Sequence, residues 1–209
     1  MLNFRLNLRI VATTIACLAV IFVTSCSKDS GGPATSTVKT LDVKAGTGGV
    51  SVDVVKLMVW DGALHKDVAI AEGAYSNGGF KIDLPDDVDS KYLGTFDYDE
   101  WYDGITVSNK NAKGIYADIA AFNGDKIVGY FNYEGETKTS EAYALLMYAD
   151  SDVSFTGSGT EKDVDETYHW SVSIYLKKGW NWAYEIDEES SEKYTTSKPS
   201  GLKWVFERY

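Results

Sequence analysis

From about residue 38 onward, apolar side chains recur at every second position, and this period of two restricts the chain to β-structure. The segment 54–60 is apolar on both faces, as in a strand at the centre of a sheet. The segment 170–176 instead places Trp170 and three aliphatic residues on one face and serines on the other. No long stripe with the 3.6-residue period of a helix occurs, so we predict an all-β fold.

Turn residues divide the alternating segments. Asn123-Gly124-Asp125, between two apolar segments, is a strong hairpin signal, and Ser76-Asn77-Gly78-Gly79 separates another pair. About nine or ten short strands joined in this way are typical of an antiparallel β-sandwich, with barrel-like closure as the alternative. The alternation predicts core positions for Trp170, Trp180, Trp182 and Trp204, and it places Trp60 at the end of a strand with two buried faces.

The first 25 residues have the pattern of an export signal. Arg5 and Arg9 precede an apolar stretch of 14 residues, Ile10–Val23, and no acid occurs in the segment. A membrane-spanning helix needs about 20 residues, so cleavage is the better prediction than a transmembrane anchor.

The end of this signal indicates which kind it is. Val23-Thr24-Ser25-Cys26 resembles the lipobox of bacterial lipoproteins, in which small residues precede a cysteine that is acylated and becomes the new N-terminus. The resemblance implies lipid attachment at Cys26 and location at the outer membrane, on its periplasmic face or at the cell surface. More than one acyl chain is needed for a stable anchor, and the lipoprotein pathway supplies them.

The negative net charge of the chain limits the kinds of partner that it can bind. Residues 1–25 contain two arginines and no acid, so their removal changes the formal net charge from −11 to −13. A chain this acidic lacks the basic surface that nucleic acid requires, and anionic lipid headgroups repel it. The membrane is therefore expected as a partner only through acyl chains, and a glycan or an envelope protein remains as a further partner.

The remaining chain is expected to have two parts. Residues 26–37 contain no large apolar side chain and are predicted to form a lipidated, flexible tether. Residues 38–209 then form the β-sandwich domain, with two small sub-sheets meeting near 95–105 as an alternative organisation. Cys17 leaves with the signal and Cys26 carries lipid, so no cysteine pair remains for a disulfide.

Two resemblances to known families extend beyond the lipobox. Residues 68–85, VAIAEGAYSNGGFKIDLP, and the strand before them (50–85 in all) resemble transthyretin-like or carboxypeptidase-regulatory-like modules, which are extracellular β-sandwiches. The segments LKKGWNWAY (176–184) and TTSKPSGLKW (195–204) resemble uncharacterised lipoproteins of Bacteroidetes-type bacteria. These resemblances imply a compartment and a fold but no activity.

Motifs for catalysis and metal binding are absent from the sequence. No Gly-x-Ser-x-Gly elbow, His-Glu-x-x-His motif or phosphate-binding glycine loop occurs. The two histidines, His65 and His169, are predicted to be solvent-exposed. We therefore expect a protein that is not an enzyme and has no cofactor, with a carboxylate-based hydrolase as the alternative because acids are abundant.

One acidic and aromatic segment is the candidate ligand site. Residues 97–104, DYDEWYDG, combine four acids with three aromatics. Their spacing differs from an EF-hand, so calcium remains an alternative without support from a motif. A tryptophan ring beside carboxylates suits a sugar, because the ring stacks on C–H groups while carboxylates accept hydroxyl hydrogen bonds. The predicted platform consists of Trp101, Tyr102, Asp97, Asp99 and Asp103.

The sequence therefore predicts a lipid-anchored cell-envelope protein of structural or binding character. The first alternative is a glycan-binding surface lipoprotein for polysaccharide uptake, and the second is the carboxylate-based hydrolase. A pocket that joins the segment 97–104 to another aromatic loop would favour the first alternative, whereas two close, buried carboxylates with raised pKa values would favour the second.

Overall fold

The computed structural model describes residues 37–96, 104–137, 139–162 and 167–209, except for the side chain of Lys162. The strands of these residues are β1 (Thr40–Lys44), β2 (Val54–Asp61), β3 (Lys66–Ser76), β4 (Gly79–Asp83), β5 (Gly94–Thr95), β6 (Thr106–Val107), β7 (Lys113–Asn123), β8 (Lys126–Glu136), β9 (Ser140–Ala149), β10 (Val153–Lys162), β11 (Thr167–Leu176), β12 (Gly179–Glu188), β13 (Ser191–Thr195) and β14 (Lys203–Arg208). The one helical element in this part of the chain is a 3₁₀ turn, Ser90–Tyr92.

The all-β prediction is confirmed. The strands form one large sheet in the order β1-β4-β3-β2-β7-β8-β9-β12-β13-β11-β10-β6, with β14 paired to β8 and β5 paired to β7. Every strand pair in the described residues is antiparallel except β11–β13, which is parallel. The sheet folds over on itself as a sandwich and is not closed into a barrel, so the barrel-like alternative is wrong. Val38 forms only a single isolated bridge with Trp180 of β12.

Both predicted hairpin turns form. Asn77 and Gly78 connect β3 to β4 with positive φ angles of 52° and 71°, and Gly124 has a φ of 58° between β7 and β8. Positive φ at these positions matches the right-handed twist of the flanking strands and favours asparagine and glycine. The Gly124 amide also donates a 2.9 Å hydrogen bond to Asp53, which joins this turn to the start of β2.

Two apolar cores lie on opposite faces of the central strands. The first core collects side chains from β1, β2, β4 and β7, together with Phe131 of β8 and Trp180 of β12. The second core lies under β10 and β11 and includes Phe155 and Trp170. Successive residues of β9 alternate between them, because Leu146 enters the first core and Met147 the second. The central strands are therefore buried on both faces where the two layers overlap.

At strand β8, one part of the sheet separates from the region where the two layers overlap. Its first half pairs with the end of β7, its last residues pair with β9, and β14 covers its other edge. The start of β7 pairs directly with β9. The sheet therefore branches at β7. We call the face of β3, β2 and the second half of β7 that points away from the first core the outer face. This outer face lies beyond β10 and β11, the layer that covers the second core.

Candidate functional site

The residues predicted as sites from the sequence lie outside the described part of the chain. These residues are Cys26, Asp97, Asp99, Trp101, Tyr102 and Asp103. The residues that flank the acidic and aromatic segment are described, and Phe96 and Ile105 both pack against the second core. The proposed roles of lipid attachment and ligand platform therefore remain predictions.

A different tryptophan is exposed on the outer face of the sheet. Trp60 belongs to β2, where Val59 and Asp61 turn inward and are almost fully buried. The alternation of β2 directs the Trp60 ring outward, and 37% of this residue remains accessible to solvent. The sequence placed Trp60 on a strand with two buried faces, and this expectation is wrong for the end of β2. The layer over the second core covers β9 and β12 but leaves this end of β2 open.

Polar side chains surround Trp60 in register. Asp67 of β3 stands directly opposite Trp60, and Asp118 of β7 stands opposite Met58, two residues earlier on the same face. The ring of His65 makes an edge contact with the indole at 6.4 Å between centroids. We call the side chains of Trp60, His65, Asp67, Asp118 and Tyr130 the Trp60 surface.

One side chain of the Trp60 surface, Tyr130, packs on a small apolar cluster. Met58, Ala120 and Phe122 form this cluster and are buried on the outer face. Ala120 is completely inaccessible although no second layer is described over this face. Trp60, His65 and Asp67 are exposed beside the cluster.

The electrostatics of the Trp60 surface are negative. The pKa of Asp118 is raised, first because neighbouring side chains remove solvent from its carboxyl group and then because Asp67 repels a second charge. Burial also raises the pKa of Tyr130, with Asp118 and Asp67 adding to the effect. Neither aspartate belongs to an ion pair in the part of the chain that the structure describes. These two charges are therefore not neutralised by a neighbouring cation there.

A second group of titratable side chains lies at one end of the second core. Glu141, Asp187 and Glu192 are direct cross-strand neighbours on β9, β12 and β13, which places like charges side by side. Glu185, two residues before Asp187, is a diagonal neighbour of Glu192, because Tyr194 is its direct partner on β13. Tyr194 donates a 2.6 Å hydrogen bond from its hydroxyl to Glu192.

The pKa of Glu185 is raised. Burial, then repulsion from Glu192, raises the pKa of Glu185 to about 7. Burial of a carboxyl group disfavours its charged form, and a neighbouring carboxylate adds to this cost. Asp187 has a raised pKa for the same two reasons, in the same order. The Glu185–Glu192 pair meets the criterion for a hydrolase only in part, because both side chains are half-buried.

An open depression adjoins these carboxylates. Its volume is about 810 Å³, and its lining includes Tyr168, Asp187, Glu141 and hydroxyl groups of the β8–β9 turn. The sequence did not single out this region, because Glu185 and Glu192 lie in ordinary alternating segments. The two residues come close in space only because β12 pairs with β13.

Metal binding finds no support in the described residues. Within those ranges no three His, Cys, Asp or Glu side chains converge closely enough to hold an ion. The calcium alternative concerned the segment 97–104, of which the structure describes only Gly104.

Comparison with known proteins assigns no relative. No family model, curated protein or solved structure matches this chain. The resemblances to lipoproteins and to transthyretin-like modules stay predictions from the sequence. Among the described residues, no helix has the length and hydrophobicity for a membrane crossing.

Stability should depend on the proton held by Glu185. Its pKa of about 7 in the folded chain exceeds the usual 4.5, so the native state binds more protons than the unfolded state between these values. The free energy of unfolding should therefore decrease as pH rises from about 4.5 to about 7, by on the order of 2 kcal/mol from this group. Denaturant titrations at pH 4.5, 6 and 8 measure it.

Glu185→Gln separates this effect from that of the other acids. Glutamine keeps the shape of the protonated acid, so the variant should match the parent at pH 4.5 and be more stable at pH 8. The matched control is Glu189→Gln, on the exposed turn between β12 and β13. If the parent and Glu185→Gln lose the same stability between pH 4.5 and 8, Glu185 does not hold this proton.

Proposed function

We propose that this chain is a lipid-anchored cell-envelope protein that binds saccharides through the Trp60 surface. The observation that carries the proposal is an outward-facing, accessible indole with two unpaired aspartates on the same face of the sheet. Lipid anchoring at the outer membrane rests on the export signal and on the lipobox resemblance at Cys26. The binding role narrows the structural or binding character expected from the sequence.

The chemistry of the Trp60 surface suits a sugar. An indole face packs against the C–H groups of a pyranose ring, while aspartate oxygens accept hydrogen bonds from its hydroxyl groups. Because Asp67 and Asp118 flank the indole from neighbouring strands, stacking and hydrogen bonding can act on the same ligand.

Trp60→Ala should remove binding while leaving the fold intact. We expect affinity for a saccharide identified on a glycan array to fall at least about tenfold, as for a central aromatic contact. Isothermal titration calorimetry of the full chain in detergent measures this, and circular dichroism checks the fold. Tyr175→Ala is the matched control, because Tyr175 is also an exposed aromatic on a strand but lies on β11. Equal affinity in Trp60→Ala and the parent would refute the proposal.

A carboxylate-based hydrolase is the second candidate function, and the Glu185–Glu192 pair favours it. Two carboxyl groups that share a proton can act as acid and base on a water molecule, as in aspartic proteases.

Product release distinguishes hydrolysis from binding alone. Saccharides and peptides incubated with the full chain should be cleaved if the glutamate pair is catalytic, and Glu192→Gln should abolish that cleavage. Trp60→Ala should then leave the chemical step unchanged, since Trp60 and Glu192 belong to different sites. Binding without any turnover over the range pH 5–8 would exclude the hydrolase for the tested substrates.

A further inference from the structure

We infer that the Trp60 surface selects saccharides that carry amino groups over those that carry carboxylates or sulfates. The inference rests on the proposed saccharide-binding function and deepens it by naming the class of ligand. The inference is argued from the charged side chains on the outer face of β3, β2 and β7 and from the strand pairing of the β2 backbone.

Among the described residues, no cation pairs with the two aspartates of the Trp60 surface. The one lysine of β2 is Lys56, two residues from Met58. Its ammonium group lies 3.8 Å from Glu72 and 4.7 Å over the ring of Phe122, so it is engaged away from the two aspartates. Asp67 and Asp118 thus present carboxyl groups without an ion-pair partner on the same face of the sheet as the indole.

A ligand ammonium group would complement this arrangement. It can pair with the carboxylates of Asp67 and Asp118, and the electron-rich face of Trp60 attracts a cation as well. A carboxylate or sulfate on the ligand would instead meet two like charges, which disfavours the wrong partner. The sugar ring itself supplies the C–H groups that pack on the indole, so an amino sugar uses both parts of the surface.

The backbone at the Trp60 surface is covered by neighbouring strands only in part. Strand β3 covers one edge of β2 from Val54 to Asp61, whereas β7 covers the other edge only from Val54 to Met58. Residues 59–61 therefore have no strand partner on the β7 side among the described residues, and a peptide that adds as a strand requires unpaired backbone groups of this kind. A basic peptide is therefore the competing ligand, and hexalysine represents it in the test.

Three oligosaccharides of equal length and a basic peptide test the inference. The full chain in detergent is titrated with hexamers of glucosamine, N-acetylglucosamine and galacturonic acid, and with hexalysine. We expect the glucosamine hexamer to bind roughly tenfold tighter than the acetylated one, from two partly exposed ion pairs, with no detectable binding of the acidic one. High salt should reduce this preference, because screening weakens charge interactions.

Variants show whether the two aspartates cause the preference. The double variant with Asp67→Asn and Asp118→Asn should bind the hexamers of glucosamine and N-acetylglucosamine with similar affinity. The control variant Asp125→Asn, on the β7–β8 turn, should keep the preference for the glucosamine hexamer. Tighter binding of the acidic hexamer or of hexalysine, or a preference that survives in the double variant, would overturn the inference but not the Trp60 surface. If no hexamer binds, or Trp60→Ala binds like the parent, both the proposed function and the inference are wrong.

Discussion

Replacement of Trp180 by alanine is expected to lower the free energy of unfolding by about 3–5 kcal/mol, as for other large-to-small core substitutions. Trp180 is 2% exposed and packs edge-on against Tyr148 at 5.3 Å between ring centroids. Its indole nitrogen donates a 3.0 Å hydrogen bond to the carbonyl of Pro85. Alanine would leave a cavity in the first core and an unsatisfied carbonyl group.

Denaturant unfolding of Trp180→Ala measures this loss, and Leu64→Ala serves as its control. Leu64 is 58% exposed in the β2–β3 turn, so its truncation should change stability by about 0.5 kcal/mol or less. If Trp180→Ala were as stable as the control, the first core would not depend on the contact between β12 and the chain near Pro85. Such a result would contradict the core assignment of Trp180.

Replacement of Cys26 by alanine is expected to abolish membrane attachment. The lipobox resemblance predicts that Cys26 accepts the acyl chains, and the acidic chain has no electrostatic attraction to an anionic bilayer. Cells labelled with radioactive palmitate should incorporate essentially none into this variant. The variant protein should also leave the membrane fraction or accumulate with its signal uncleaved.

Cys17→Ala is the matched control for this experiment. Cys17 lies in the apolar segment that is predicted to be removed, so its replacement should change neither labelling nor fractionation. Palmitate incorporation into Cys26→Ala at the level of the parent would show that the lipobox assignment is wrong. Loss of label in both variants would indicate a general defect of export and would also contradict the specific role of Cys26.

Local sequence signals predicted the parts of the fold that depend on neighbouring residues. The period of two identified most of the long strands, and the Asn-Gly and Gly-Asp turns formed where they were expected. The core positions of Trp170 and Trp180 are confirmed, whereas Trp182 and Trp204 are only partly buried and pack against the first core. Strand β10 was missed although it has 10 residues, because serine, threonine and glycine interrupt its apolar alternation after Phe155. Short strands such as β5 and β6 were missed, since two residues are too few to show an alternation.

The tertiary structure decided which faces are covered and which residues meet. Trp60 and Trp180 occupy similar alternating segments, yet one is 37% exposed and the other 2%. The difference arises because Trp180 points into the first core, whereas Trp60 lies on the face of β2 opposite Val59, which belongs to that core. The pairing of Glu185 with Glu192 likewise required β13 to insert between β12 and β11.

The sequence by itself determined the all-β class, the main hairpins and the apolar faces, because periodicity and turn chemistry act within a few residues. It also supports the expectation of export and lipid attachment. Only the tertiary structure decided the position of the Trp60 surface and of the glutamate pair. Both depend on contacts between strands that are far apart in the chain, and an alternating pattern records that a face is apolar without recording what packs against it.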